Sequence, residues 1–209
     1  LFLLFHVIRV FLTRAYRTPG ELKWVTGAAV LFATLAMGFT GYSLIFDNVS
    51  YWGMTVVTNM LGSLPIVGTP LLYLLRGGEE VSDNTLLRLY DLHTKLLPVG
   101  LAVLIGVHVI TVRLIGFADV AGSRSFHSFY PVHTLFMGAV AVGLLLLIVD
   151  LVMIFPPTLG PPANLQEVAV DVSPPWYFSA PYMVISLLPG PVALWGLLAS
   201  AGLFVIYPF

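Results

Sequence analysis

Four apolar stretches limit what this chain can fold into: residues 24–45, 96–115, 132–155 and a shorter one, 191–207. Crossing the hydrocarbon core of a bilayer takes about 20 apolar residues in a helix. Residues 1–14 are apolar from the first position and read as the end of a helix that begins upstream. Charge agrees with this pattern, since only 9% of the 209 residues are charged and 58% are hydrophobic. A soluble domain carries roughly 25% charged residues. The expectation is an all-α fold, a polytopic transmembrane helical bundle. A net charge of −1 gives no electrostatic case for nucleic acid, and with no cysteine the chain has no disulfide, thiolate metal site or cysteine-linked cofactor. A signal peptide fits poorly, because His6 and Arg9 interrupt the first run and no small-residue cleavage site follows.

Lys and Arg in short loops mark the negative, cytoplasmic-type side of a membrane. Arg14, Arg17 and Lys23 follow the first segment, and the loop 116–131 holds Arg124 with Arg113 just before it. The loop 46–91 balances Arg76 and Arg88 against Asp47, Glu79, Glu80, Asp83 and Asp91, and the loop 156–190 has Glu167 and Asp171 with no Lys or Arg. The two long loops therefore share the positive side. Each contains apolar runs too short to span (51–61, 71–75 and 176–188), which read as amphipathic surface helices.

Of the five histidines, His6 and His108 lie inside apolar helices and His93 near the start of one. An ionisable residue in lipid is costly and is a functional-site hypothesis by default. Taken singly, each also fits a hydrogen-bonded packing residue. The spacing adds information. His93 and His108 are 15 residues apart, about 22 Å in height and about 60° around an ideal helix. They suit two separate centres, one near each face, and Pro98 between them can bend the helix to adjust the angle. Gly27 and Gly41 are 14 residues apart, about 21 Å, and glycine lets a planar group lie against the backbone. Two stacked histidines beside two stacked glycines suit two haems better than two zinc ions, which want more protein ligands each. His6 and His108 run toward the same side and can ligate one iron axially. His93 has no partner in the chain, and truncation upstream explains that best. Arg9, one turn after His6, can neutralise a haem propionate or simply lie at the interface.

These residues also carry a family resemblance. The segments His6-Val-Ile-Arg9, Pro19-Gly-Glu21-Leu-Lys-Trp24-Val-Thr-Gly27, Gly38-Phe-Thr-Gly41-Tyr42-Ser and Ser50-Tyr-Trp52-Gly53 resemble cytochrome b. Leu74-Leu-Arg76-Gly-Gly and Thr85-Leu-Leu-Arg88-Leu-Tyr90-Asp-Leu-His93-Thr look particularly like the chloroplast and cyanobacterial type, with the following subunit fused. Pro161-Pro162-Ala163-Asn164 and Pro174-Pro175-Trp176-Tyr177 resemble the loop after the fifth helix. The resemblance implies the end of helix B, then helices C, D, E and F. Residues 1–115 would form the haem-binding N-terminal-type region and 116–209 the C-terminal-type region. It further implies two b haems, with His6 and His108 on the negative-side iron and His93 on the positive-side iron. Gly27 and Gly41 would leave room for them. Trp52, Gly53 and Tyr177 would lie in a quinol-oxidising pocket, and Arg113 and His127 at a quinone-reducing one. Implied partners are membrane lipid, a Rieske-type iron–sulfur protein and a c-type cytochrome or equivalent acceptor, in a dimeric complex. The implied location is an energy-transducing membrane such as the bacterial plasma membrane.

Three departures accompany the resemblance. Pro175 stands where the family has a glutamate thought to accept a quinol proton, and proline cannot carry one. Glu167, Asp171, Asp47 and Tyr177 are the available substitutes. Leu44-Ile45-Phe46 replaces a Leu-Pro-Trp in the same pocket, and Gly20 replaces an arginine. The leading functional expectation is a dihaem cytochrome b subunit of a bc-type quinol oxidoreductase. The alternatives are a dihaem b-type membrane anchor without bifurcated quinol oxidation, and a cofactor-free transporter.

Overall fold

The computed structural model describes residues 2–116, 128–158, 160–164 and 174–209, all of them in helices or the turns between. In chain order the α-helices are α1 (Phe2–Leu12), α2 (Glu21–Ser43), α3 (Asn48–Gly62), α4 (Gly68–Arg76), α5 (Asp83–Asp91), α6 (Leu97–Ile115), α7 (Thr134–Ile154), α8 (Ser179–Leu187) and α9 (Gly190–Ile206). Among the described residues there is no strand, only an isolated bridge between Asp47 and Pro162. Among the described residues three helices are long and apolar enough to cross a membrane: Glu21–Ser43, Asp83–Ile115 and Tyr130–Ile154. The apolar helices α1 and α9 are shorter, at 11 and 17 residues. The short apolar runs of the long loops form α3, α4 and α8, as the sequence suggests.

The second of these helices starts earlier than the apolar pattern indicates. Asp83, Asn84, Arg88, Asp91 and Lys95 precede the apolar stretch 96–115, yet the helix runs unbroken through them. A π-helical turn, Leu92–Leu96, joins α5 to α6, with the Leu97 N–H bonded to the Leu92 carbonyl. Pro98 has no N–H to give, and the helix passes it without a break. A π turn holds one residue more than an α turn. The 15-residue interval from His93 to His108 therefore climbs like a 14-residue one, and this turn supplies the angular correction expected of a bend at Pro98.

Contacts divide the chain into two units, Leu1–Ala118 with Pro161–Phe209, and Asp119–Gly160. In the first, α2 lies along α6. Four of its hydroxyls are satisfied within the helix itself, as a lipid environment favours. The hydroxyls of Thr26, Thr34, Thr40 and Ser43 donate to the carbonyls four residues back, at 2.8–2.9 Å. At the Glu21 end, Trp24 packs on Phe204 of α9 with ring centroids 4.7 Å apart, and its indole N–H donates to the Phe204 carbonyl.

At the Ser43 end, α3, α4 and α5 form a cap around Met54, Val81 and Leu89, with Phe39, Leu44, Phe46, Tyr51 and Leu92 packed against them. Burying Met54 and Leu89 contributes about 1.5–3 kcal/mol each. Asp47 starts α3 by accepting the Ser50 N–H at 2.8 Å, worth about 1 kcal/mol. Arg76 lies at the centre of this cap, only 3% exposed. Its guanidinium donates to Thr58 Oγ1 (2.7 Å), the Glu79 carbonyl (2.7 Å), the Thr55 carbonyl (2.9 Å) and Asn59 Oδ1 (2.9 Å). Burial holds it below the usual arginine range. In the second unit, α7 is apolar except for Thr134 and Asp150, the composition of a membrane-spanning helix.

Candidate functional site

Both ends of the α2–α6 pair repeat one arrangement. Near the Glu21 end, the His108 ring of α6 lies against Gly27, where a Cβ would come 3.1 Å from His108 Cε1. Near the Ser43 end, the His93 ring lies against Gly41, where a Cβ would come 2.8 Å from His93 Cε1. A Cβ at Gly41 would stand closer than real side chains come and one at Gly27 closer than most do, so each glycine gives its histidine room against the α2 backbone. The residue before each glycine is a threonine bonded to the same ring. Thr26 Oγ1 is 2.9 Å from His108 Nδ1, and Thr40 Oγ1 is 2.9 Å from His93 Nδ1. Fourteen residues is close to four helical turns, which brings both Thr-Gly doublets to one face of α2.

The two ends differ in what stands across from the histidine. His6 of α1 faces His108, with ring centroids 6.4 Å apart and planes at 87°. Around them is a cavity of about 320 Å³, whose walls include Arg9, Trp24, Gly27, Leu31 and Phe204. Two imidazoles on opposite sides of one metal atom place their nitrogens about 4 Å apart, and the ring separation is compatible with that. Among the described residues no three or more His, Cys, Asp or Glu side chains group as a metal site. A porphyrin-held iron needs only two protein ligands, so the pair fits a haem, and the apolar, glycine-floored cavity fits its planar ring.

His93 has Thr40 and Gly41 beside it and, among the described residues of its unit, no histidine opposite. It sits inside the π turn, a feature often found at functional sites. Beyond it lies an aromatic group. Tyr177, in the short turn Trp176–Phe178, sets its ring over Gly38, where a Cβ would be 3.1 Å from Tyr177 Cε2. The Tyr42 hydroxyl is buried and has no hydrogen-bond partner among the described residues. Its ring passes Gly53, where a Cβ would be 3.4 Å away. Trp52 of α3 stands edge-on to Tyr51 at 5.3 Å. Asp47 has its carboxylate engaged at the start of α3.

The structure thus brings His6, Arg9, Gly27 and His108 together around one cavity, and pairs His93 with Gly41. Arg113 is exposed on the last turn of α6 and is not part of the cavity wall. Lys23 is, with its ammonium donating to the Gly116 carbonyl at 2.9 Å. His127, Glu167, Asp171 and Arg124 lie outside the described residues. Sequence reasoning gave no site role to Thr26, Thr40, Gly38, Tyr42 or Lys23. A visible signal did exist for the first two, because Thr-Gly occurs twice in α2 at a 14-residue interval.

Residues 1–162 match the family described as Cytochrome b(N-terminal)/b6/petB. Cytochrome b6 of Prochlorococcus marinus (strain MIT 9515) is 46% identical over 113 residues, covering 54% of this chain and 52% of the relative. Cytochrome b6 of strain AS9601 of the same species is 45% identical with the same coverage. The chain spans about half the length of these curated relatives. Among solved structures, a chain of a hyperthermophilic respiratory Complex III superposes with a TM-score of 0.81 at 26% identity, over 99% of this chain and 58% of that one.

Proposed function

Since the chain belongs to the Cytochrome b(N-terminal)/b6/petB family, we propose that it serves as the dihaem cytochrome b subunit of a bc-type quinol oxidoreductase, carrying electrons across an energy-transducing membrane between two quinone sites. The observation that carries this reading is the repeated histidine–glycine contact at the two ends of α2, with His6 facing His108 at one of them. His6 and His108 would hold one haem b iron. His93 would hold the second, opposite a ligand outside the described residues. When bound, the haems supply reversible one-electron iron chemistry.

The protein's own residues do the rest. Gly27 and Gly41 keep the floor of each site flat, and the apolar walls exclude water and lower the local dielectric. Arg9 places a cation in the cavity, where carboxylate groups of a ligand would be neutralised. Tyr177, Trp52 and the unpartnered Tyr42 hydroxyl would shape and hydrogen-bond a quinol at the Ser43 end, while Arg113 and His127 would serve the quinone-reducing end. Residues 1–115 correspond in this reading to the haem-binding region and 116–209 to the C-terminal-type region. A Rieske-type iron–sulfur protein and a c-type cytochrome, or an equivalent acceptor, complete a dimeric complex, in line with the similarity to a respiratory Complex III chain.

Pro175 favours one competing reading. Without a carboxylate there to take a proton, the protein could be a dihaem membrane anchor that joins the quinone pool to another redox module. Quinol oxidation by the whole complex, with and without an inhibitor specific for the pocket at Tyr177, separates the two. Inhibitor-sensitive turnover is expected. Turnover that ignores the inhibitor would favour the anchor.

A further inference from the structure

Each threonine hydroxyl in the two Thr-Gly doublets has one proton, and the helix carbonyl four residues back is placed to accept it. Thr26 Oγ1 lies 2.9 Å from the Leu22 carbonyl and Thr40 Oγ1 lies 2.9 Å from the Ala36 carbonyl, so both protons are donated back into α2. What each oxygen still offers is a lone pair. The histidine nitrogen facing it at 2.9 Å must then be the donor. That assigns the Nδ1–H tautomer to His108 and to His93, leaving Nε2 with its lone pair free.

We propose that Thr26 and Thr40 are a matched pair of positioning residues, each accepting the Nδ1–H of its histidine so that Nε2 is presented to iron and that haem's reduction potential is held down. The proposal rests on the haem-binding reading above. A hydrogen bond accepted from Nδ1–H fixes the ring's orientation and raises the basicity of the ligating nitrogen. A more basic ligand stabilises ferric over ferrous iron. The acceptor is a hydroxyl already polarised by its own donation to a carbonyl, in surroundings where such chains of bonds strengthen one another. Thr40 is 3% exposed, which keeps water from substituting for it.

Helix α2 contains its own control. Thr34 donates to the Val30 carbonyl at 2.8 Å in the same way, with no histidine bond. Redox titration of the haem α-bands in the whole complex, with low-temperature EPR of the oxidised haems, tests the proposal on Thr26→Val, Thr40→Val and Thr34→Val. The expected result for Thr26→Val is an upward shift of the His108 haem alone, and for Thr40→Val of the His93 haem alone. Each shift should be about three- to tenfold in the reduction equilibrium, where tenfold is 59 mV for one electron. Each should come with an altered EPR g-value of the same haem. Thr→Ser at either site, which keeps the hydroxyl, should restore both readouts, and Thr34→Val should move neither. Should a valine variant lose its haem, the alanine variant removes the same hydroxyl without adding a methyl and serves instead. Two bound haems with unchanged potentials in the Val and Ala variants would overturn the proposal, as would equal shifts of both haems from either substitution. A wild-type complex without haem would overturn the functional reading itself.

Discussion

At its Glu21 end the α2–α6 pair presents a threonine, a glycine and a histidine, and at its Ser43 end it presents the same three. Yet one end opens into an apolar cavity with a second histidine across it, while the other abuts a hydrogen-bonded cap built on a buried arginine and an aromatic group. The scaffold is thus duplicated and the surroundings are not. What each end can do is decided by α1 on one side and by α3, α4, α5 and the Trp176–Phe178 turn on the other. Pro175 and Phe46, where the resemblance leads one to expect other residues, both lie at the Ser43 end. Both belong to the surroundings of that end and not to the shared helix pair.

The sharpest way to break this comparison is to remove one histidine. His108→Leu should eliminate the haem at the Glu21 end and leave the other, and His93→Leu should do the reverse. Pyridine haemochrome quantitation would show one haem lost per chain in each case. Loss of both from a single substitution would mean that the ends are not independent. A smaller effect should come from adding a methyl at the glycines. Overpacking costs about 1–3 kcal/mol, and Gly41 has less room than Gly27 (2.8 against 3.1 Å). Gly41→Ala should therefore weaken haem retention at its end more than Gly27→Ala does at the other, read as haem content after detergent purification.

Arg76→Met tests the cap. Several acceptors would lose their donor inside a buried cluster, at a cost of about 1–3 kcal/mol for each group left unpaired. A lower thermal midpoint is expected, with the spectrum of the haem at the Glu21 end unchanged. The smallest effect concerns Tyr73, at the exposed edge of the same cap. Its hydroxyl donates to the Glu79 carboxylate at 3.1 Å, and that bond pushes the phenol above its usual range. The folded value then exceeds the unfolded one, so the bond's contribution is complete below pH 10 and is lost as pH rises through the raised folded value. Tyr73→Phe should leave thermal stability at neutral pH nearly unchanged.

Much of this architecture is legible in sequence because membrane-spanning helices announce themselves by length and apolarity. The heights of the two sites follow from the histidine and glycine intervals, since rise per residue is nearly constant. Direction around the helix is less secure. The 15-residue histidine interval is 60° out of phase on an ideal helix, and only the π turn at Leu92–Leu96 shows how both rings reach α2. The start of that helix at Asp83 was hidden for a related reason, because amphipathic sequence outside the membrane carries no spanning signal. Arg76 was equally hidden. A basic residue in a loop reads as a surface charge, and its burial depends on a hydroxyl, a carbonyl and an amide that only the folded α3 brings together. Thr26 and Thr40 were in view, but a threonine inside an apolar helix ordinarily satisfies itself on its own backbone. That they also hold the histidines is visible only once α6 lies alongside.

The most direct test of the central claim is a dithionite-reduced minus oxidised visible spectrum of the purified complex, with haem quantified as the pyridine haemochrome. About two b haems per chain are expected, one for each end of the α2–α6 pair. A colourless protein would contradict the haem reading at both ends and leave two half-buried, hydrogen-bonded histidines, His93 and His108, whose role would have to be sought in transport.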